Sequence, residues 1–251
     1  MLLLECVGIP GAGKSHIAGK LRTWLATSDI SFVDVAEFLR TEGARPSTVV
    51  PGRGGKLDLG SKDADVLLKS FRRFLLEEPD YTLQYLQAII SLEPSRALRD
   101  LILSSFTYSC AQRGFFLARI KRLGVSLALH EEGLVHRLFT LFGYRLANPS
   151  DDRLLHALAE ATPRPDFLIW VRCSPEIALQ RLDNRKRKKP DRLKAVSAQE
   201  ATEILANADR KIESAIRIMR KRGTRVAELR SDENLDEATL FEAFLGKLSN
   251  H

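Results

Sequence analysis

The strongest constraint on the fold is a run of eight residues, Gly8-Ile9-Pro10-Gly11-Ala12-Gly13-Lys14-Ser15. It reads G-x-x-x-x-G-K-[ST], which fixes two glycines, a lysine and a hydroxyl. Its flanks matter as much. Leu2 to Val7 is an apolar run, and Lys14 to Ala26 carries Ile17, Leu21, Trp24 and Leu25 at helical spacing, so the loop joins a strand to a helix. Glycines let the backbone curl until successive N–H groups point inward, and the helix adds the positive end of its dipole. Phosphate oxygens fit such a cradle. Gly8, Pro10, Gly11, Ala12 and Gly13 supply its backbone, the ammonium of Lys14 can reach the β and γ phosphates of a nucleoside triphosphate, and the Ser15 hydroxyl is placed to hold Mg²⁺. His16 is a first-turn helix residue, counted with the nucleotide contacts by its position alone.

Further strand-like runs lie at Ile30–Val35, Val125–His130, Phe167–Val171 and Arg225–Leu229, alternating with helical patterns. The alternation predicts an α/β fold: three layers, with a five-stranded parallel sheet between helices and right-handed crossovers. Pro46 to Gly60, rich in proline and glycine, predicts a mobile loop. Lys62 to Leu123 reads as several helices punctuated at Pro79 and Pro94. Leu134 to about Phe142, Asp151 to Ala161, a helix opened by Pro175, Ala198 to Arg222 closed by Gly223, and Leu235 to Leu248 complete the helices. The chain reads as one domain, with a core at 1–36 and 124–251, a helical insertion at about 37–123 and a lid at about 184–197.

A mean hydropathy of -0.16, with 44% hydrophobic and 28% charged residues, sets aside disordered, collagenous and disulfide-stapled chains. No apolar run approaches the roughly 20 residues that a spanning helix needs, so the expected address is the cytosol and no membrane partner is expected. Cys6, Cys110 and Cys173 form no C-x-x-C pair and read as buried thiols in a reducing compartment. The net charge of +7 is local: residues 172–225 hold 16 Lys and Arg against 7 acids, whereas the remainder holds 23 against 25. Such a segment serves a polyanion, either nucleic acid or a small one such as ATP. Its densest part, Arg185 to Arg192, lacks the interleaved aromatics of a single-strand binder, which argues against nucleic acid.

In an open parallel sheet, ligands collect outside the carboxyl ends of the strands. Glu131 and Glu132 follow the third strand there. They suit a general base or an organiser of Mg²⁺, or a dipole partner for the helix that starts at Leu134. Asp34 and Glu37 follow the second strand as substrate contacts or helix caps. Arg137, one turn into the next helix, faces either the phosphates or solvent. Arg185, Arg187 and Arg192 lie in the basic run, where arginines that close over a transferring phosphoryl group stabilise its charge.

Four stretches together resemble the P-loop nucleoside and nucleotide monophosphate kinases, and within them the thymidylate-kinase-like group. They are Gly8 to Ser15; Cys110-Ala111-Gln112-Arg113, similar to that group's Ala-Asp-Arg helix; Glu131-Glu132-Gly133; and Pro165-Asp166-Phe167 through Pro175-Glu176 to Arg181. The resemblance implies ATP with Mg²⁺, an arginine-rich lid, and an acceptor pocket built by the helices between strands 2 and 3. It also implies that Arg113 meets the acceptor, Glu131 is the acid after strand 3, Arg181 lies on the nucleotide side, and Asp232 to Asn234 lie near the adenine. Three departures widen the choice of acceptor, the first being the length of the helical insertion from Lys62 to Leu123. Glu-Glu-Gly stands where the family has Asp-Arg or Glu-Arg, and the family's Glu-Pro-Gly element after strand 2 is absent. The expectation is an ATP-dependent kinase acting on a nucleotide, a nucleoside or another hydroxylated metabolite. Its rival is a P-loop ATPase or switch that acts through a protein partner, and a homodimer is allowed by either.

Overall fold

A computed structural model of the chain describes residues 1–35, 37–38, 61–92, 96–120, 124–143, 150–185, 190–232 and 241. The loop expected at Pro46–Gly60, Pro94, and the last helix apart from Phe241 lie outside them. Strands β1 (Leu2–Val7), β2 (Phe32–Asp34), β3 (Leu127–His130), β4 (Phe167–Arg172) and β5 (Arg225–Arg230) form one sheet in the order β2-β3-β1-β4-β5. Every neighbouring pair is parallel. β1 takes the centre because its apolar run suits a strand covered on both faces.

β2 and β3 start two residues later than the sequence pattern suggests. The Ser126 N–H is taken by the carbonyl and the hydroxyl of Ser31, both at 3.0 Å, so serine contacts replace the regular ladder at that end.

The described helices are α1 (Lys14–Thr27), α2 (Ser61–Glu77), α3 (Pro79–Leu92), α4 (Arg96–Ile120), α5 (Leu134–Phe142), α6 (Ser150–Ala161), α7 (Pro175–Asp183), the short α8 (Asp191–Lys194) and α9 (Ala198–Lys221). α1 buries Ile17, Ala18, Leu21 and Leu25 in the core that holds Leu4, Cys6 and Leu129 of the sheet. The alternate strand positions Leu3 and Ala128 meet Ala111, Phe115 and Phe116 of α4. α2 to α4 form the helical insertion, which has an aromatic centre: Tyr85 stacks on Phe106 at 4.1 Å and Tyr81 lies 5.9 Å from the same ring. Two helix starts follow from local sequence. Ser174 accepts from Ile177 N ahead of Pro175, and Ser197 accepts from Glu200 N. Among the described residues, no helix is long and apolar enough to cross a membrane.

From β1 the chain goes to one flank, and it reaches the other flank at β4 only after returning through β3. The direction of winding therefore reverses beside β1. That places the natural crevice at the carboxyl end of β1, where the glycine loop begins.

Candidate active site

The loop after β1 is wedged tightly into the fold. A Cβ on Gly8 would lie 2.2 Å from Val171 O at the end of β4, and one on Gly11 would lie 2.3 Å from Ala178 O in α7. Gly11 and Gly13 take φ values of 86° and 94°, a left-handed region that glycine enters without penalty. Gly13 is the N-cap of α1 and provides no side-chain cap, which leaves the first-turn N–H groups open to an anion. Lys14 folds back over the loop. Its Nζ donates to Gly8 O at 2.9 Å and Ile9 O at 3.3 Å, and the side chain is buried. Burial pulls the pKa of Lys14 below its ordinary value, partly offset by Glu132.

A cavity of about 230 Å³ opens on this loop. Pro10, Gly11, Gly13, Lys14 and Ser15 of the loop line it together with Glu132, His136, Phe139 and Arg185. Gly8 and Ala12 sit behind the cradle; Ala12 O accepts from Ser231 Oγ at 2.6 Å. His16 is exposed and does not line the cavity. Arg181 lies beside the loop but is committed to Ser231, donating to its Oγ at 2.7 Å and its carbonyl at 2.9 Å. Arg181 and Ser231 thus tie the end of β5 to the cradle. Asp232 accepts from Ser174 N at 3.2 Å. Of the lid candidates, only the side chain of Arg185 is described; those of Arg187 and Arg192 lie outside the described residues.

The two glutamates after β3 part company. Glu132 faces the cavity, whereas Glu131 accepts from Arg22 at 3.0 Å and does not line it. Arg22, two turns along α1 from Ser15, also donates to Asp34 at 2.5 Å. Asp34 in turn accepts from Glu37 N at 2.9 Å, so it serves as a cap, while the Glu37 side chain is exposed. Asp34 and Glu131 are therefore brought together, by an arginine that motif reading passed over.

A second group of charges lies inside the fold. Glu5 is buried in β1, and its carboxylate accepts from Leu134 N at 3.3 Å and Val135 N at 3.2 Å, the open start of α5. Gly133 is required there, since a Cβ would stand 1.9 Å from the Glu5 carboxyl carbon. Burial raises the pKa of Glu5, and Arg113, the two N–H groups and Arg137 oppose the rise. Arg113 is buried on α4, and its Nε and one terminal nitrogen have no partner among the described residues. Arg137 donates to Ser105 Oγ at 3.1 Å. Neither Arg113 nor Arg137 lines the phosphate cavity.

Glu5, Arg22 and His136 escaped the sequence reading. A charged residue inside an apolar strand was the signal for Glu5, and the four-residue step from Glu132 was the signal for His136. Arg22 had only helical spacing from the glycine loop.

No family model matches the chain, and no curated protein does. Among solved structures, the chain is similar to a deoxyadenosine kinase from M. mycoides with bound dATP. The two are 14% identical over 99% of this chain and 100% of that one, with a TM-score of 0.46. At that distance, function has to be argued from the chemistry of the site.

Proposed function

We propose that the chain is an ATP-dependent phosphotransferase that moves the γ-phosphoryl group of ATP to a hydroxyl of a small acceptor. One observation carries the reading: a glycine cradle with a buried lysine and an uncapped helix start shares one cavity with a carboxylate and an arginine. The cavity thus holds donors for a triphosphate together with a proton acceptor and a cation for the transferring group.

The residues fit ATP with Mg²⁺, because the first-turn N–H groups of α1 are uncapped and Ser15, which carries a hydroxyl, lines the cavity. Ser15 would hold the metal, which draws negative charge off the β and γ phosphates when bound. Lys14, now held by two loop carbonyls, exchanges them for phosphate oxygens, which are stronger partners for an ammonium. Arg185 is placed to neutralise charge on the transferring group, and Arg187 and Arg192 extend the same basic run. Glu132 accepts the proton of the attacking hydroxyl. The insertion of α2 to α4 is the acceptor side, and a nucleoside or nucleotide is the first class to test because the sequence motifs resemble those kinases.

The experiment is a screen of nucleosides, nucleotides and sugars that follows ADP release, with Lys14→Ala as the control. An acceptor that stimulates ADP release, and a loss of more than about a hundredfold in Lys14→Ala with the fold intact, are the expected results. Slow ATP hydrolysis that no acceptor stimulates would replace the kinase by the ATPase switch.

A further inference from the structure

The two adjacent glutamates have partners of different kinds. Arg22, a permanent cation, binds Glu131 and Asp34 together. Glu132 instead stands beside His136, one helical turn further on, with His136 Nε2 3.6 Å from Glu132 Oε1. The imidazole is held in place: it is buried, and its ring lies against Phe139 at 5.6 Å with an interplanar angle of 33°. Its Nδ1 is buried and has no partner among the described residues. Burial first, and then the charges of Lys14 and Arg137, hold the ring's pKa well below the usual histidine range, so it is neutral.

A neutral ring and a guanidinium act differently on a carboxylate. Arg22 compensates the charge of Glu131 and occupies one of its carboxylate oxygens, whereas an uncharged N–H orients a carboxylate without supplying a counter-charge. At 3.6 Å the pair falls short of a hydrogen bond. Glu132 is 51% exposed and so free of the packing that would prevent it from approaching the ring more closely.

We propose that His136 is a positioning residue: its Nε2–H aims the Glu132 carboxylate over the phosphate cradle, so that Glu132 rather than Glu131 receives the acceptor's proton. The proposal deepens the phosphotransferase reading and rests on it. In the step concerned, the acceptor oxygen bonds to the γ-phosphorus while the bond from that phosphorus to the β–γ bridging oxygen breaks. The electron pair of the broken bond leaves with ADP. The hydroxyl proton passes to Glu132, which becomes a neutral acid and later returns the proton to water.

The test uses full-length protein, ATP with Mg²⁺ and the acceptor found by ADP release. His136→Phe keeps the ring's bulk without the N–H, and His136→Gln restores a donor at the Nε2 position. The expected result is a fall in kcat of about ten- to a hundredfold in His136→Phe, with KM for ATP changed less than about threefold. His136→Gln should recover most of the loss, and His136→Phe should cost nothing further in a Glu132→Gln background. Equal losses in the presence and absence of the Glu132 carboxylate would overturn the proposal, as would an unchanged kcat. A second measurement does not depend on turnover: ¹⁵N spectra of histidine-labelled protein should show His136 protonated on Nε2, with that resonance shifting in Glu132→Gln. A proton on Nδ1, or a resonance indifferent to Glu132→Gln, would also overturn it. If no acceptor is phosphorylated but the resonance responds, the pairing stands and the kinase reading is what fails.

Discussion

The buried charges around Glu5 of β1 and the phosphate cavity on the loop that follows are built only a few residues apart, yet they hold charge in opposite ways. In the cavity, backbone N–H groups, Lys14, Glu132 and Arg185 face a space that a ligand can enter. Around Glu5, the buried carboxylate accepts from the two N–H groups at the start of α5, and the buried guanidinium of Arg113 supplies its main counter-charge. The first arrangement is incomplete until an anion arrives. The second holds Glu5 through two N–H groups of the chain itself, and it fixes where α5 starts and so where Glu132 and His136 stand. Substitutions should therefore separate the two: changes in the cavity should alter turnover more than stability, and changes around Glu5 the reverse.

The largest stability effect is expected at Glu5. Glu5→Ala leaves Arg113 buried without its main counter-charge and uncovers two N–H groups of α5. Removing one partner from a buried set of charges costs about 3–5 kcal/mol, measurable by urea unfolding. A change below about 1 kcal/mol would show that the charges do not support the fold. Gly133→Ala comes next. Its φ of -81° is open to any residue, so the penalty comes from the 1.9 Å contact with the Glu5 carboxyl carbon. Overpacking of this kind costs about 2–3 kcal/mol. Combining Gly133→Ala with Glu5→Ala should then be less than additive, because the second change removes the obstacle to the first.

This contrast also explains what the sequence disclosed. Gly8 to Ser15 was legible because a backbone-built cradle is written in consecutive residues, with a strand before it and a helix after it. The five-stranded sheet and the start of α5 at Leu134 were legible from periodicity and from Gly133. The rotation of α5 was not: motif reading singled out Arg137, whereas the α5 residues that line the cavity are its neighbour His136 and Phe139. About 100° of helical turn separates adjacent positions, and only packing against α9, α6, α4 and β1 decides between them. Arg22 lies 12 residues from Asp34 and 109 from Glu131, so its bridge exists only once β2 and β3 stand side by side. Arg113 was singled out by a family likeness, and the structure places it among buried charges beside Glu5.

Acid should expose the buried layer. His130, the register partner of Glu5, has its pKa pulled from 6.5 to about 3, by burial first and then by Arg113 and Arg137. For a base whose folded pKa is depressed, the unfolded chain binds the proton more readily, so stability falls as pH drops from about 6.5 toward 3. At pH 5 this one group accounts for a loss of about 2 kcal/mol relative to neutral pH. His136 is shifted in the same direction and adds to the loss. Urea midpoints at pH 7 and pH 5 should differ less in His130→Phe than in the parent chain, and equal differences would remove His130 as a source of the acid sensitivity.

The smallest stability effect, and the sharpest test of the division of labour, is expected at Arg22. Its side chain is 33% exposed, so solvent screens its pairs, and Arg22→Ala should lower stability by only about 0.5–1 kcal/mol. High salt should shrink that difference. The arginine keeps Asp34 and Glu131 together, so its loss leaves two carboxylates facing each other, and adding Glu131→Gln should return part of the stability. The catalytic comparison is more discriminating. Glu131→Gln alone should lower turnover far less than Glu132→Gln, because the first acid is already paired with a cation and the second opens on the cavity. The opposite order would move the reacting carboxylate to the Arg22 cluster, and with it the place where the acceptor must lie.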